Sequence, residues 1–188
     1  MMKKILVCLT AAVMICSLVA CGRNGGNTAP SDNAKPEQEN VSSETQTEVY
    51  DVAGKTPAAV LLEVFKAKVD SGKYTTTEEL ATAIVGSDIT PFDMGVAQVE
   101  PGYLNGFTEE IQGFSSGTNF GPYIGTIPFV GYVFQVDQDA DAFVQQLKDK
   151  ADLRWNVCTQ ADEMVCEAYG DFVFFVMSPD SFDDNGGK

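Results

Sequence analysis

The stretch from Thr126 to Val136 carries Ile127, Phe129, Val130, Tyr132, Val133, Phe134 and Val136, so apolar side chains fall on both alternating faces of any strand it forms. A sheet with one wet face would leave half of these side chains in water. The pattern predicts a central, covered strand, and other segments must supply the cover.

Helices are signalled on both sides of this run. Thr56-Pro57 reads as an N-cap followed by proline at the first helical position. Val60, Leu61, Val64, Phe65 and Val69 then form one stripe up to the stop at Gly72. Thr75 and Thr76 stand three residues before Glu78 and Glu79, the capping-box spacing, with Leu80, Ala81 and Ile84 facing inward and Gly86 ending the turn. From Asp137 to Lys150 the apolar positions Ala140, Phe143, Val144, Leu147 and Ala151 recur at helical spacing, acids first and lysines last.

Met94 to Glu100 reads as a strand ended by Pro101-Gly102. Met164–Tyr169 and Phe172–Met177 read as a hairpin around Gly170-Asp171. With no βαβ rhythm, the expectation is α+β: a single domain of helices packed on a mostly antiparallel sheet.

Upstream, the chain changes character. Met1-Met2-Lys3-Lys4 is a short basic start, and Ile5 to Ala20 is nearly free of polar groups, the order of a signal peptide. A spanning helix needs roughly 20 apolar residues, and this run stops short of that at Cys21. Leu18-Val19-Ala20-Cys21 resembles the lipobox of bacterial lipoproteins, with an aliphatic residue, a tolerant position, a small residue and the cysteine. The resemblance implies diacylglycerol on the Cys21 thiol and cleavage by signal peptidase II in front of it. Two or three acyl chains suffice for stable anchoring. The expected organisation is a signal peptide over 1–20, a lipidated cysteine and disordered tether over 21–54, the α+β domain over 55–180, and a disordered tail over 181–188. The tether reading rests on the shortage of large apolar residues between Gly22 and Gly54.

Charge narrows the partners. Twelve basic against 27 acidic residues give −15, and loss of Lys3 and Lys4 with the signal peptide leaves ten against 27, or −17. Such a surface repels phosphate backbones, so nucleic acid is not an expected partner. The chain has no histidine, which removes Ser-His and Cys-His nucleophile systems and every histidine-ligated metal site. Neither a catalytic metal nor a cofactor is expected.

Of five cysteines, Cys8 and Cys16 leave with the signal peptide and Cys21 is the lipid site. Cys158 and Cys166 remain, either bridged outside the membrane or buried as small hydrophobes. Asp137, Asp139 and Asp141 have the alternation that opens an EF-hand, but Ala142 and Lys148 replace the required glycine and glutamate, so helix capping is the better account. Asp162-Glu163 alone does not make a glycosidase pair. Ser115-Ser116 lacks a nucleophile elbow.

The segment Asn105–Gly131 concentrates Gly113, Gly117, Gly121 and Gly125 among Phe107, Phe114, Phe120, Tyr123 and Phe129. It reads as a long loop whose aromatics either pack beneath it or present a contact surface, packing being their commoner fate. If it contacts a partner, Phe120 and Tyr123 beside Gly121-Pro122 are the candidate residues. Trp155, after the last helix, caps the core or adds to that surface.

The stretch Asp152–Cys158, continuing to Tyr169–Met177, resembles the C-terminal part of small uncharacterised lipoproteins of Gram-positive gut anaerobes. The resemblance implies a Gram-positive cell surface and transfers no activity. The expected function is a lipid-anchored extracytoplasmic protein of the cell membrane, a non-catalytic module binding a protein, peptide or glycan. The alternative is an envelope-polymer hydrolase using carboxylates alone.

Replacing Cys21 by alanine is expected to release the protein from membranes on carbonate washing, and mass spectrometry should find acyl chains on the mature wild-type N-terminus. A variant that stays membrane-bound, or an unacylated wild-type terminus, would refute the anchor.

Overall fold

The chain forms three helices, α1 (Pro57–Asp70), α2 (Thr77–Val85) and α3 (Ala140–Lys150). Its five strands are β1 (Met94–Val99), β2 (Phe114–Pro122), β3 (Val130–Val136), β4 (Glu163–Tyr169) and β5 (Phe172–Ser178). This computed structural model describes residues 50, 53–136, 139–156 and 159–182. The expected signal peptide, Cys21, most of the expected tether and the expected tail from residue 183 lie outside the described residues.

Each helix begins where a side-chain oxygen accepts an orphan backbone N–H. Thr56 Oγ1 accepts from Ala59 N (3.4 Å). Thr76 and Glu79 close a reciprocal capping box, Thr76 Oγ1 accepting from Glu79 N (3.2 Å) and Glu79 Oε2 from Thr76 N (3.1 Å). The backbone N–H groups of Thr75 and Thr76 hold the Glu79 carboxyl below its ordinary value. Asp139 caps α3 through Asp141 N and Ala142 N, so in this run of acids the capping account prevails over the EF-hand pattern.

The strands pair antiparallel in the order β1-β2-β3-β5-β4, an open sheet, and the α+β expectation is met. Side chains of β3 and β5 are buried on both faces. On one face Val133, Phe172, Phe174 and Val176 join Leu61, Val64 and Phe65 of α1 and Leu80 and Ile84 of α2. On the other, Tyr132, Phe134, Val173, Phe175 and Met177 join Phe143 and Leu147 of α3. The connection after β1 completes that second layer. Gly102 and Ile111 pair across it, and Thr108 N donates to Lys150 O (2.9 Å). The Tyr132 hydroxyl, buried beneath, donates to Asn105 O (2.9 Å).

Two segments depart from the sequence expectation. The predicted strand over Thr126–Val136 starts only at Val130, because Pro128 is the central residue of a tight turn in which Phe129 N donates to Ile127 O (2.8 Å). The predicted long loop Asn105–Gly131 contains β2, a strand between β1 and β3. Serines and glycines hid it, and so did a break in alternation. The register of β2 shifts between Phe114 and Ser116. Phe114 therefore packs with the α3 face while Phe120, an even number of residues away, packs with the α1–α2 face. Phe120 is 0% exposed. It is a core residue, which corrects its candidacy as a contact residue.

Packing also reaches beyond the expected domain limits. Tyr50 lies against the α1–α2 core, with the Lys68 ammonium 6.0 Å from its ring centroid. Phe182 meets Phe92 edge-on at 5.1 Å.

The Phe120 ring occupies the space a Cβ on Gly131 would need, the closest ring atom being 2.3 Å from that position. Gly131→Ala is expected to lower stability by roughly 1–3 kcal/mol through overpacking, read as a lower urea midpoint. An unchanged midpoint would show that the ring has room to move.

Candidate functional site

Three chain segments meet at the end of the sheet where β1 begins. The turn after α2 brings Asp88 round at φ 55, a left-handed conformation that aspartate adopts more readily than most residues. The chain then passes Pro91-Phe92-Asp93 into β1, while β2 leaves the sheet at Pro122 opposite Met94. Tyr123 N donates to Asp93 O (3.4 Å), tying the exit of β2 to the entry of β1.

Between these segments lies a solvent-open cleft of about 650 Å³, lined by Val85, Asp88, Phe92, Asp93, Met94 and Tyr123 among others. Its apolar floor is braced. Phe92 packs edge-on against both Phe129 (5.8 Å) and Phe182 (5.1 Å). Its acidic groups, Asp88 and Asp93, are exposed, and no lysine or arginine lines the cleft among the described residues. Tyr123 is 76% exposed and Ile124 68%. The tyrosine is nonetheless placed: its ring edge comes to 2.7 Å from where a Cβ on Gly95 would stand, so the missing side chain at Gly95 seats the ring on the β1 backbone.

The sequence-derived candidates thus separate. Tyr123 forms a wall of the cleft. Phe120 lies in the core below. Trp155 is half-buried and packs on the α3 side, away from the cleft lining. Its neighbour Asn156 donates from Nδ2 to Gly125 O (2.6 Å), linking that segment to the loop carrying Tyr123. Asp88, Phe92, Asp93 and Gly95 were not singled out from the sequence. Their only signal was the turn-rich run Gly86–Pro91 between a helix stop and a strand, where loops on rigid elements often carry function.

Cys166 is a buried free thiol whose Sγ lies 3.9 Å from Val144 O. Burial pushes it up to about 12, against a smaller opposing effect of Lys148, so the reactive thiolate is suppressed. Cys158, its candidate disulfide partner, lies outside the described residues. Among the described residues no group of three or more Cys, Asp or Glu side chains is arranged to hold a metal ion, and no helix is long and apolar enough to cross a membrane.

The seating of Tyr123 on Gly95 is testable. Gly95→Ala is expected to shift the ring resonances of Tyr123 while changing stability by no more than about 0.5 kcal/mol, because the displaced ring is exposed. Unmoved resonances would mean the ring does not rest there in solution. No protein family, curated protein or solved structure matches this chain, so function must be read from the geometry of this site.

Proposed function

We propose that this protein is a lipid-anchored, extracytoplasmic surface protein whose domain is a non-catalytic binding module, and that the cleft walled by Tyr123 is its recognition surface. The cleft carries this reading. It combines a braced apolar floor at Phe92, an exposed aromatic wall at Tyr123 and carboxylates at Asp88 and Asp93, with no lysine or arginine in the lining among the described residues. Aromatic surface with polar rims is the usual composition of binding sites. The lipobox-like Leu18–Cys21 supports anchoring outside the membrane, where an envelope or extracellular protein, peptide or glycan would be met.

The hydrolase alternative draws on the same two carboxylates, since a glycosidase needs a pair flanking its bond. One member of such a pair must stay protonated, which takes apolar enclosure. Asp88 and Asp93 are both exposed, without that enclosure.

The test is recovery of cross-linked partners from the native envelope with the full lipidated protein. Tyr123→Ser and the double change Asp88→Asn/Asp93→Asn should each reduce recovery roughly fivefold or more, as loss of a central contact does, without lowering the thermal midpoint. Undiminished recovery with both variants would remove the cleft from the function. Release of fragments from envelope polymer, abolished by either asparagine change alone, would establish the hydrolase instead.

A further inference from the structure

Strand β1 lies at the outer edge of the sheet, and among the described residues β2 is its only strand neighbour. Val96, Ala97 and Gln98 are exposed in succession; α2 packs on one face of the strand, where Gln98 Nε2 donates to Glu78 Oε2 (2.7 Å), and leaves its outer hydrogen-bonding edge uncovered. A free edge presents a row of unpaired N–H and C=O groups, and proteins usually block it with lysine, proline, an inward charge or a bulge. The residues of β1, Met-Gly-Val-Ala-Gln-Val, include none of these, and the register from Met94↔Pro122 to Val99↔Gly117 is unbroken. The other edge is treated differently. In β4, Glu167 pairs with Lys66 of α1 (2.6 Å), and α1 and α3 both pack against the strand.

We infer that the β1 edge takes up an extended peptide segment of a partner protein as an added strand, and that this segment is uncharged in its middle and basic at both ends. The inference names the partner class for the binding module proposed above and rests on that reading. Backbone pairing at a sheet edge is an established mode of peptide recognition, with affinity from the main chain and selectivity from side chains. The charges choose the occupant. Exposed Asp93 and Glu100 bracket the uncharged strand. A second copy pairing antiparallel through β1 would set Asp93 against Glu100 of the other chain, a like-charge pair at each end. The polar segment ahead of the domain is no better suited, with acids at Glu37, Glu39, Glu44, Glu48 and Asp51. A segment with lysine or arginine at each end meets both acids with opposite charge. At the Met94 end it also meets the Tyr123 ring lying over Gly95, a face on which a cationic side chain can stack.

The experiment uses the full lipidated protein in phosphatidylcholine vesicles and synthetic peptides matching the length of Asp93–Glu100. Their interior alternates valine and threonine, and their ends are both lysine or both glutamate. The lysine-ended peptide should bind, more weakly as salt rises, and the glutamate-ended one should bind roughly tenfold less well or worse. Of two lysine-ended peptides N-methylated on alternate residues, one parity should lose binding, since one set of N–H groups faces β1. Asp93→Lys/Glu100→Lys should reverse the end preference. Equal binding of lysine- and glutamate-ended peptides, full binding by both methylated peptides, or no binding by any peptide would overturn the inference. So would a β1-edge dimer in sedimentation that the lysine-ended peptide fails to dissociate, which would assign the edge to a second copy. Partner recovery that stays sensitive to Tyr123→Ser while the peptides fail would sink this inference alone and leave the binding-module reading standing.

Discussion

The fold depends on the need to keep water from both faces of β3 and β5. These neighbouring strands carry Tyr132, Val133, Phe134, Phe174, Phe175 and Met177, all 0–1% exposed, alternately on one face and the other. Fully burying a side chain of this kind is worth roughly 1.5–3 kcal/mol relative to exposure, so neither row can be left wet. Two helices therefore occupy one face, and a third helix with the segment 102–111 occupies the other. Everything else is arranged around that doubly covered pair.

Burial is greatest along β3 and β5 and thins toward β1, whose middle residues are exposed; α1 and α3 both reach β4 and β5, while α2 lies against β1, β2 and β3. The open strand, the cleft and the exposed Tyr123 and Ile124 all fall on the thin side. The two edges are thus unlike for a mechanical reason: α1 and α3 pack on the two faces of β4, while β1 has α2 alone as its helical cover.

Glycine makes two of the close approaches in this arrangement. At Gly131 an absent side chain lets Phe120 lie flat on β3 and fill the α1–α2 core. At Gly95 it lets Tyr123 settle on β1 while remaining in solvent. One vacancy serves packing and the other holds an aromatic ring at the cleft. The acidic groups nearby are exposed, so any attraction they exert is screened by salt and acts at close range.

Local signals in the sequence were enough for much of the architecture. Thr56-Pro57, Thr75-Thr76 with Glu78-Glu79, and the acids between Asp137 and Asp141 announced the helix starts, and the structure picks out Thr76 and Asp139 as the caps, because capping is settled within one turn of chain. Gly170-Asp171 announced the final hairpin, Gly170 supplying the positive φ of its two-residue turn. The apolar run ending at Val136 announced a covered strand. The absence of histidine and the excess of acids narrowed the chemistry before any fold was known. The tertiary structure alone decided that Phe114–Pro122 is a strand. Its serines and glycines have little strand preference, and its alternation breaks at the bulge, so it is held by β1 and β3 on either side and by Phe120 entering the core. It also decided which aromatic of that segment meets water, Tyr123 rather than Phe120, and which acids meet at the cleft. Those outcomes depend on contacts between residues far apart in the chain, and no local pattern encodes them.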